Sequence, residues 1–233
     1  GRKVLQTSLD LYPTNLILNQ LQTDLTESQK INIKFDCKKI NHIIAEIFYI
    51  ISNGLSSQKN YLASNFYLKL ASYLNPDFLS YNTLYAENLE IIKQYPEAKM
   101  EYKKIKNIGS NYNWHASKQI ASILKKQEKK QEAIKYLQNS FLKIKKPKIY
   151  EIFEYAEFLK NNEQYHEAIE HYSRLIESIN KEHNLYPRAL DGRGVAYERT
   201  NQWDKAEIDL LKSLSISPED AYTINYLAYS WIE

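Results

Sequence analysis

Leu190-Asp191-Gly192-Arg193-Gly194-Val195-Ala196-Tyr197, then Trp203-Asp204-Lys205-Ala206, then Leu210 and Pro218: the fold is decided by this stretch. Its core is a pair of small residues twelve positions apart, Gly194 and Ala206. The same pair recurs upstream as Ala86/Ala98, Ala121/Ala133 and Ala156/Ala168, and Ala228 stands where a further first member belongs. Successive first members are 35, 35, 38 and 34 residues apart. Other columns travel with the pair. A large residue follows the first small one by three (Leu89, Leu124, Leu159, Tyr197, Trp231), and an aromatic precedes the second by three (Tyr95, Tyr165, Trp203). Tyr102, Leu137, Tyr172 and Leu210 follow the second by four. Two helices in close antiparallel contact require this pattern: small side chains let the backbones approach, and large ones a turn away fill the flanks. Such a helix pair cannot bury its apolar face alone, so neighbouring pairs must stack.

Composition agrees. Glycine and proline together supply 11 of 233 residues, too few for the turns of an all-β sandwich or barrel. No GxGxxG or GxxxxGK[ST] loop is present to cradle a phosphate. Pro76, Pro147, Pro187 and Pro218 fall at or near the expected junctions between repeats. Gly194 lies inside a predicted helix, where it costs helix stability and serves the close contact instead. No apolar run approaches the length of a membrane span.

The stretch from residue 190 to 218 resembles the tetratricopeptide repeat family. Apolar, small, aromatic, small, apolar and proline stand at that family's offsets, and the resemblance extends from about residue 79 to the end. The order of features, including Asn111-Tyr112-Asn113-Trp114 and Tyr226-Leu227-Ala228-Tyr229-Ser230-Trp231, looks like the middle part of a longer bacterial protein of this family. The resemblance implies an all-α, right-handed superhelical solenoid of antiparallel helix pairs. It leads us to expect a soluble protein of the bacterial cytoplasm or periplasm.

Upstream the pattern loosens. Ala63 lies 35 before Ala98, and its partner is read as Ala45, a gap of 18 explained by a six-residue insertion in a turn around Asn53–Ser57. The expected organisation is therefore as follows. Residues 1–22 are the end of a truncated helical repeat, closed by Pro13, plus a short helix over Leu16–Leu21. Residues 23–37 are a linker, and 38–78 a divergent repeat with a longer internal turn. Residues 79–113, 114–148, 149–186 and 187–220 are repeats, and 221–233 the first helix of a truncated one.

Candidate chemistry is sparse. His166-Glu167-Ala168-Ile169-Glu170-His171 places its histidines five apart, roughly 140° round a helix rather than on one face as HExxH does. Ala168 and Ile169 are committed to packing, so the expectation is a solvated helix face and no metal. Cys37 is the only cysteine and has no recognisable nucleophile motif around it. No GxSxG occurs. We expect no enzyme activity and no cofactor.

Net charge is +3 but uneven: residues 118–148 hold ten lysines and two glutamates, +8, whereas residues 149–233 sum to −8. The lysines at 125, 126, 129, 130, 143, 145, 146 and 148 fall at predicted turns and read as a solvated edge. The acidic final third argues against a nucleic-acid partner.

The family resemblance implies that a protein or peptide binds along the first helices, which line a concave groove. Counting three before, one after and four after each small residue gives the groove positions: Thr83, Glu87, Glu90; Lys118, Ser122, Lys125; Phe153, Glu157, Lys160; Asp191, Val195, Glu198; Asn225, Tyr229. The carboxylate-clamping Lys/Asn/Arg set of some family members is not reproduced: Glu87, Glu157 and Val195 stand where asparagine is wanted. The function expected is a non-catalytic interaction scaffold. The alternatives are an RNA-binding helical repeat protein or the recognition arm of a larger enzyme.

Overall fold

A computed structural model describes residues 2–12, 15–27, 35–77 and 80–232. Every regular element among them is an α-helix. In chain order these are α1 Arg2–Leu11, α2 Leu16–Thr26, α3 Ile40–Ser57, α4 Tyr61–Leu74, α5 Ser80–Ile91, α6 Tyr95–Ile105 and α7 Ser110–Lys126. They continue with α8 Lys130–Leu142, α9 Ile149–Lys160, α10 Tyr165–Ser178, α11 Leu185–Glu198, α12 Trp203–Ile216 and α13 Ala221–Ile232. The chain forms two compact units, residues 1–136 and 137–233.

One turn recurs with little variation. Between α3 and α4, α5 and α6, α7 and α8, α9 and α10, and α11 and α12 the chain passes through a single residue of positive φ: Lys59, Lys93, Glu128, Glu163 and Asn201, at 59–66°. The N–H of the next residue reaches back to the carbonyl of Leu55, Leu89, Leu124, Leu159 or Tyr197 at 2.8–2.9 Å. This six-to-one bond satisfies a carbonyl that the helix end leaves orphaned, and a left-handed residue is what allows the chain to make it.

The small-residue pairs pack as the spacing predicts. Ala86, Ala98, Ala121, Ala133, Ala156, Ala168 and Ala206 have no solvent exposure. A β-carbon on Gly194 would stand 2.8 Å from the Leu210 side chain and 3.3 Å from the Ala206 carbonyl, so the contact there needs glycine. Ala228 is exposed.

The 38–78 region requires a correction. The turn is three residues, Gln58–Asn60, and Asn53–Ser57 belong to α3, an 18-residue helix. There is no insertion. The tight pair is Ser52 and Ser64, twelve apart, both with no exposure and each 34 before its counterpart, Ala86 or Ala98. The other columns then fall into place: Leu55 three after, Tyr61 three before and Leu68 four after, the last 1% exposed. Serine replaces alanine at little cost because each hydroxyl finds a carbonyl. Ser52 Oγ donates to Phe48 O at 2.7 Å and Ser64 Oγ to Ser52 O at 2.9 Å. Ala63 is half-buried, and Ala45 packs two turns earlier in a cluster with Leu68, Ala71 and Tyr81.

At the amino end, Leu5 and Leu9 are buried on α1 while Val4 and Leu11 are exposed. The expected stop at Pro13 lies outside the described residues. The helix over Leu16–Leu21 continues to Thr26, into the stretch expected to be linker, because Thr23 is buried on the same face as Gln20. Residues 28–34 of that stretch lie outside the described residues.

Candidate functional site

In the second unit, α9 and α11 present their groove-position residues to a common cavity of about 360 Å³. Phe153, Glu157, Lys160 and Asp191 line it, together with Arg188 and Tyr222. Glu157 pairs with Lys160 Nζ at 2.9 Å and accepts the Tyr172 hydroxyl from α10. Asp191 accepts from Thr223 Oγ1 at 2.5 Å; burial holds its carboxyl above the ordinary carboxylate range, and the Thr223 bond opposes that shift. The Arg188 guanidinium lies over the Phe153 ring, 4.7 Å from its centroid, so a positive charge sits beside an aromatic face at the cavity. Acid, base and aromatic surface therefore alternate within one depression.

Arg188 and Tyr222 were not among the sequence-derived positions. Arg188 lies on the same face as Asp191, Val195 and Glu198, at i, i+3, i+7 and i+10, a signal that extending the stripe by one turn uses. Tyr222, on α13, stands six before Ala228 as Arg188 stands six before Gly194, so the same one-turn extension of the stripe reaches it.

In the first unit, Thr83 and Glu87 of α5 line a smaller cavity of about 220 Å³ with Tyr49 and Asn53 of α3. Tyr49 and Asn53 are three before and one after Ser52, so the corrected register places them on the stripe that the alanine register missed. Thr83 Oγ1 is buried and makes no hydrogen bond among the described residues. Burial, and after it the Glu90 charge, raises Glu87 above the ordinary carboxylate range. Glu90 itself is 8% exposed, taking the Tyr102 hydroxyl at 3.1 Å and Lys126 Nζ at 2.6 Å, so it ties its own helix pair to α7 of the next repeat.

The remaining predicted positions are not gathered into either cavity. Lys118 and Ser122 are half-buried and Lys125 is exposed on α7. Val195 is 7% exposed, a packing residue. Glu198 accepts the Tyr226 hydroxyl at 2.5 Å and pairs with Arg199 at 3.3 Å. Asn225 is exposed, and the Tyr229 side chain lies outside the described residues.

The other motifs resolve individually. His166 is exposed, but His171 is not on the solvated face expected of it. Its ring stands edge-on to Phe141 and Tyr155, at 5.3 and 4.9 Å between centroids. Burial lowers its pKa. Tyr155, beside it, is pushed up to about 12 by burial. Among the described residues no group of three or more His, Cys, Asp or Glu is placed to hold a metal ion. Cys37 is exposed. Lys125, Lys126, Lys129, Lys143, Lys145, Lys146 and Lys148 are exposed. No helix among the described residues is long and apolar enough to cross a membrane.

Residues 149–219, from α9 through α12, match the family model of the tetratricopeptide repeat. That stretch carries tetratricopeptide repeats. No curated protein matches it in sequence. Solved structures of similar fold include YrrB, described as a tetratricopeptide repeat protein with an unusual peptide-binding site, at 20% identity and a TM-score of 0.54 over 78% of this chain and 90% of that one. MamA is similar at 18% identity and a TM-score of 0.54, over 77% and 94% of the two chains. A tetratricopeptide repeat protein from Parabacteroides merdae is similar at 15% identity and a TM-score of 0.59, over 77% and 69%. At these identities the likeness is one of fold. The repeats matched by the family model are the same ones whose first helices line the larger cavity.

Proposed function

We propose that this chain is a non-catalytic scaffold that binds a protein or peptide along the first helices of its repeats. The observation that carries the reading is the cavity of the second unit. Four side chains predicted from repeat register alone, Phe153, Glu157, Lys160 and Asp191, converge there with a cation over an aromatic ring. A fold whose partners are characteristically proteins supports it. An extended or helical peptide with an apolar side chain between polar ones suits this lining: the side chain meets Phe153, while a carboxylate reaches Arg188 and an amide or cation reaches Asp191. That YrrB carries a peptide-binding site on the same fold is consistent with this reading.

The test is affinity capture with the chain immobilised, comparing wild type with the double variant Arg188→Glu/Tyr222→Ala and with Glu177→Lys on an exposed face as control. We expect the captured proteins to be lost with the double variant, retained with the control and insensitive to ribonuclease. Capture indifferent to the double variant would falsify the groove reading. Capture abolished by ribonuclease would replace the protein partner with RNA.

A further inference from the structure

The first unit's stripe already has an occupant. The cavity bounded by Tyr49, Asn53, Thr83 and Glu87 is also lined by Leu16 and Ile17, the first turn of α2. One turn on, Gln20 is buried, and Thr23 after it. Leu16, Gln20 and Thr23 are spaced i, i+4 and i+7, which puts all three on one face of α2. Gln20 and Thr23 on that face meet the start of α7, and Leu16 lines the cavity opposite α3 and α5.

What holds the seat is polar and local. Helix α7 begins after Gly109, which has no side chain with which to cap it. Gln20 supplies the missing acceptor from 91 residues away: its Oε1 accepts the Asn111 backbone N–H at 3.1 Å and the Asn111 side-chain amide at 3.3 Å. Asn111 Nδ2 also donates to Thr23 Oγ1 at 2.9 Å. Gln20 Nε2 donates to Asp24 at 2.7 Å, which fixes the carboxamide in the orientation the cap requires. A β-carbon at Gly109 would lie 2.2 Å from that carboxamide, so the bare backbone is what makes room for it. By contrast α2 has no fully buried apolar anchor: Leu16 is half-buried and Ile17 is 44% exposed. A helix tethered in cis needs little affinity to stay bound, because the tether supplies a high effective concentration. A helix held mainly by amide contacts has little binding energy beyond that tether, so a second helix making the same contacts takes its place once its concentration exceeds the effective concentration of the tether.

We propose that the inner stripe of the first unit is a helix-binding groove, that α2 is its displaceable resident, and that the partner which takes its place is a helix bearing leucine, glutamine and threonine at i, i+4 and i+7. This rests on the first-helix stripe being a docking surface. That reading is tested separately by the second-unit variants above, which leave α2 and its seat untouched.

The experiment uses the full chain and a fluorescein-labelled peptide of residues 15–27 as the probe. The double variant Leu16→Asp/Gln20→Ala loosens α2 in cis and leaves the seat intact. Labelled peptide should bind this variant about tenfold or more tightly than wild type, since a seat occupied nine-tenths of the time costs a competitor that factor. Adding Gly109→Ala to the double variant should take the affinity away again, because the new methyl occupies the position of the peptide's carboxamide. Equal affinity for wild type and the double variant, no binding to either, or binding indifferent to Gly109→Ala each overturns the proposal. Gly109→Ala in the otherwise native chain gives an independent reading should the double variant not fold. Amide hydrogen exchange over α2 and at Asn111 should quicken, and unchanged protection there overturns the proposal equally.

Discussion

At the scale of single residues, the repeat is kept in register by side chains that composition makes look incidental. Asn88 has no exposure and holds three elements together: Nδ2 donates to Ser64 Oγ at 2.8 Å and to Asn65 Oδ1 at 2.9 Å, and Oδ1 accepts from Ser56 Oγ at 2.7 Å. A buried polar cluster is stabilising only while every member is satisfied. Asn88→Ala should therefore cost about 2–3 kcal/mol, more than an exposed truncation, because it strands Ser56 and Asn65 in the core; denaturant unfolding measures it. His171 gives a pH prediction. Its folded pKa lies below its unfolded value of about 6.5, so its contribution to stability is complete above that pH and is lost progressively as pH falls toward the folded value. Thermal melts from pH 7 to pH 5 should fall less steeply for His171→Phe, which keeps the ring against Phe141 and Tyr155 without the titrating group. Both residues were invisible as such in the sequence. Asn88 has no periodic signal, and a histidine five from another histidine reads as solvated until the ring neighbours are known.

At the scale of elements, the helix pair is the unit, and its two ends are specified differently. The contact in the middle is set by volume: Ala168 has no exposure, so Ala168→Trp should cost about 3 kcal/mol or more by forcing α9 and α10 apart. A melting temperature equal to that of wild type would contradict the packing described here. The turn at the end is set by backbone geometry, one left-handed residue and one six-to-one bond, and tolerates lysine, glutamate or asparagine in that position. This is why the turns left no glycine signature and the small residues left a clear one. It also explains the different register at residues 38–78. Alanine identity points to Ala45 and Ala63, whereas the criterion the backbones impose is size, which serine meets once its hydroxyl bonds to a carbonyl. The constant turn would have given the right register, but no sequence feature marks it.

At the scale of the whole molecule, the charge is segregated while the proposed recognition surfaces are mixed. The lysines of residues 118–148 are largely exposed at turns, whereas the second unit's cavity presents both signs beside an aromatic ring. A surface of one sign steers a partner at long range, and a mixed one fixes its register on contact. The capture experiment belongs to this scale, since it asks whether partners are held by the stripe rather than by the lysine-rich edge. Each unit carries its own cavity, and that of the first is lined in part by α2 of the same unit.

The sequence by itself determined the helix pairs, their spacing and the tight contacts between them in the four well-marked repeats. It could do so because packing one helix on another imposes a period on side-chain volume, and volume is written in residue identity. Only the tertiary structure decided that Ser52 and Ser64 are the tight pair of the first full repeat. It alone set His171 edge-on against the stacked rings of Phe141 and Tyr155, and gave α7 a cap from Gln20 across 91 residues of chain. The ring cluster and the cap depend on contacts between residues distant in sequence, and such contacts leave no period along the chain to be read.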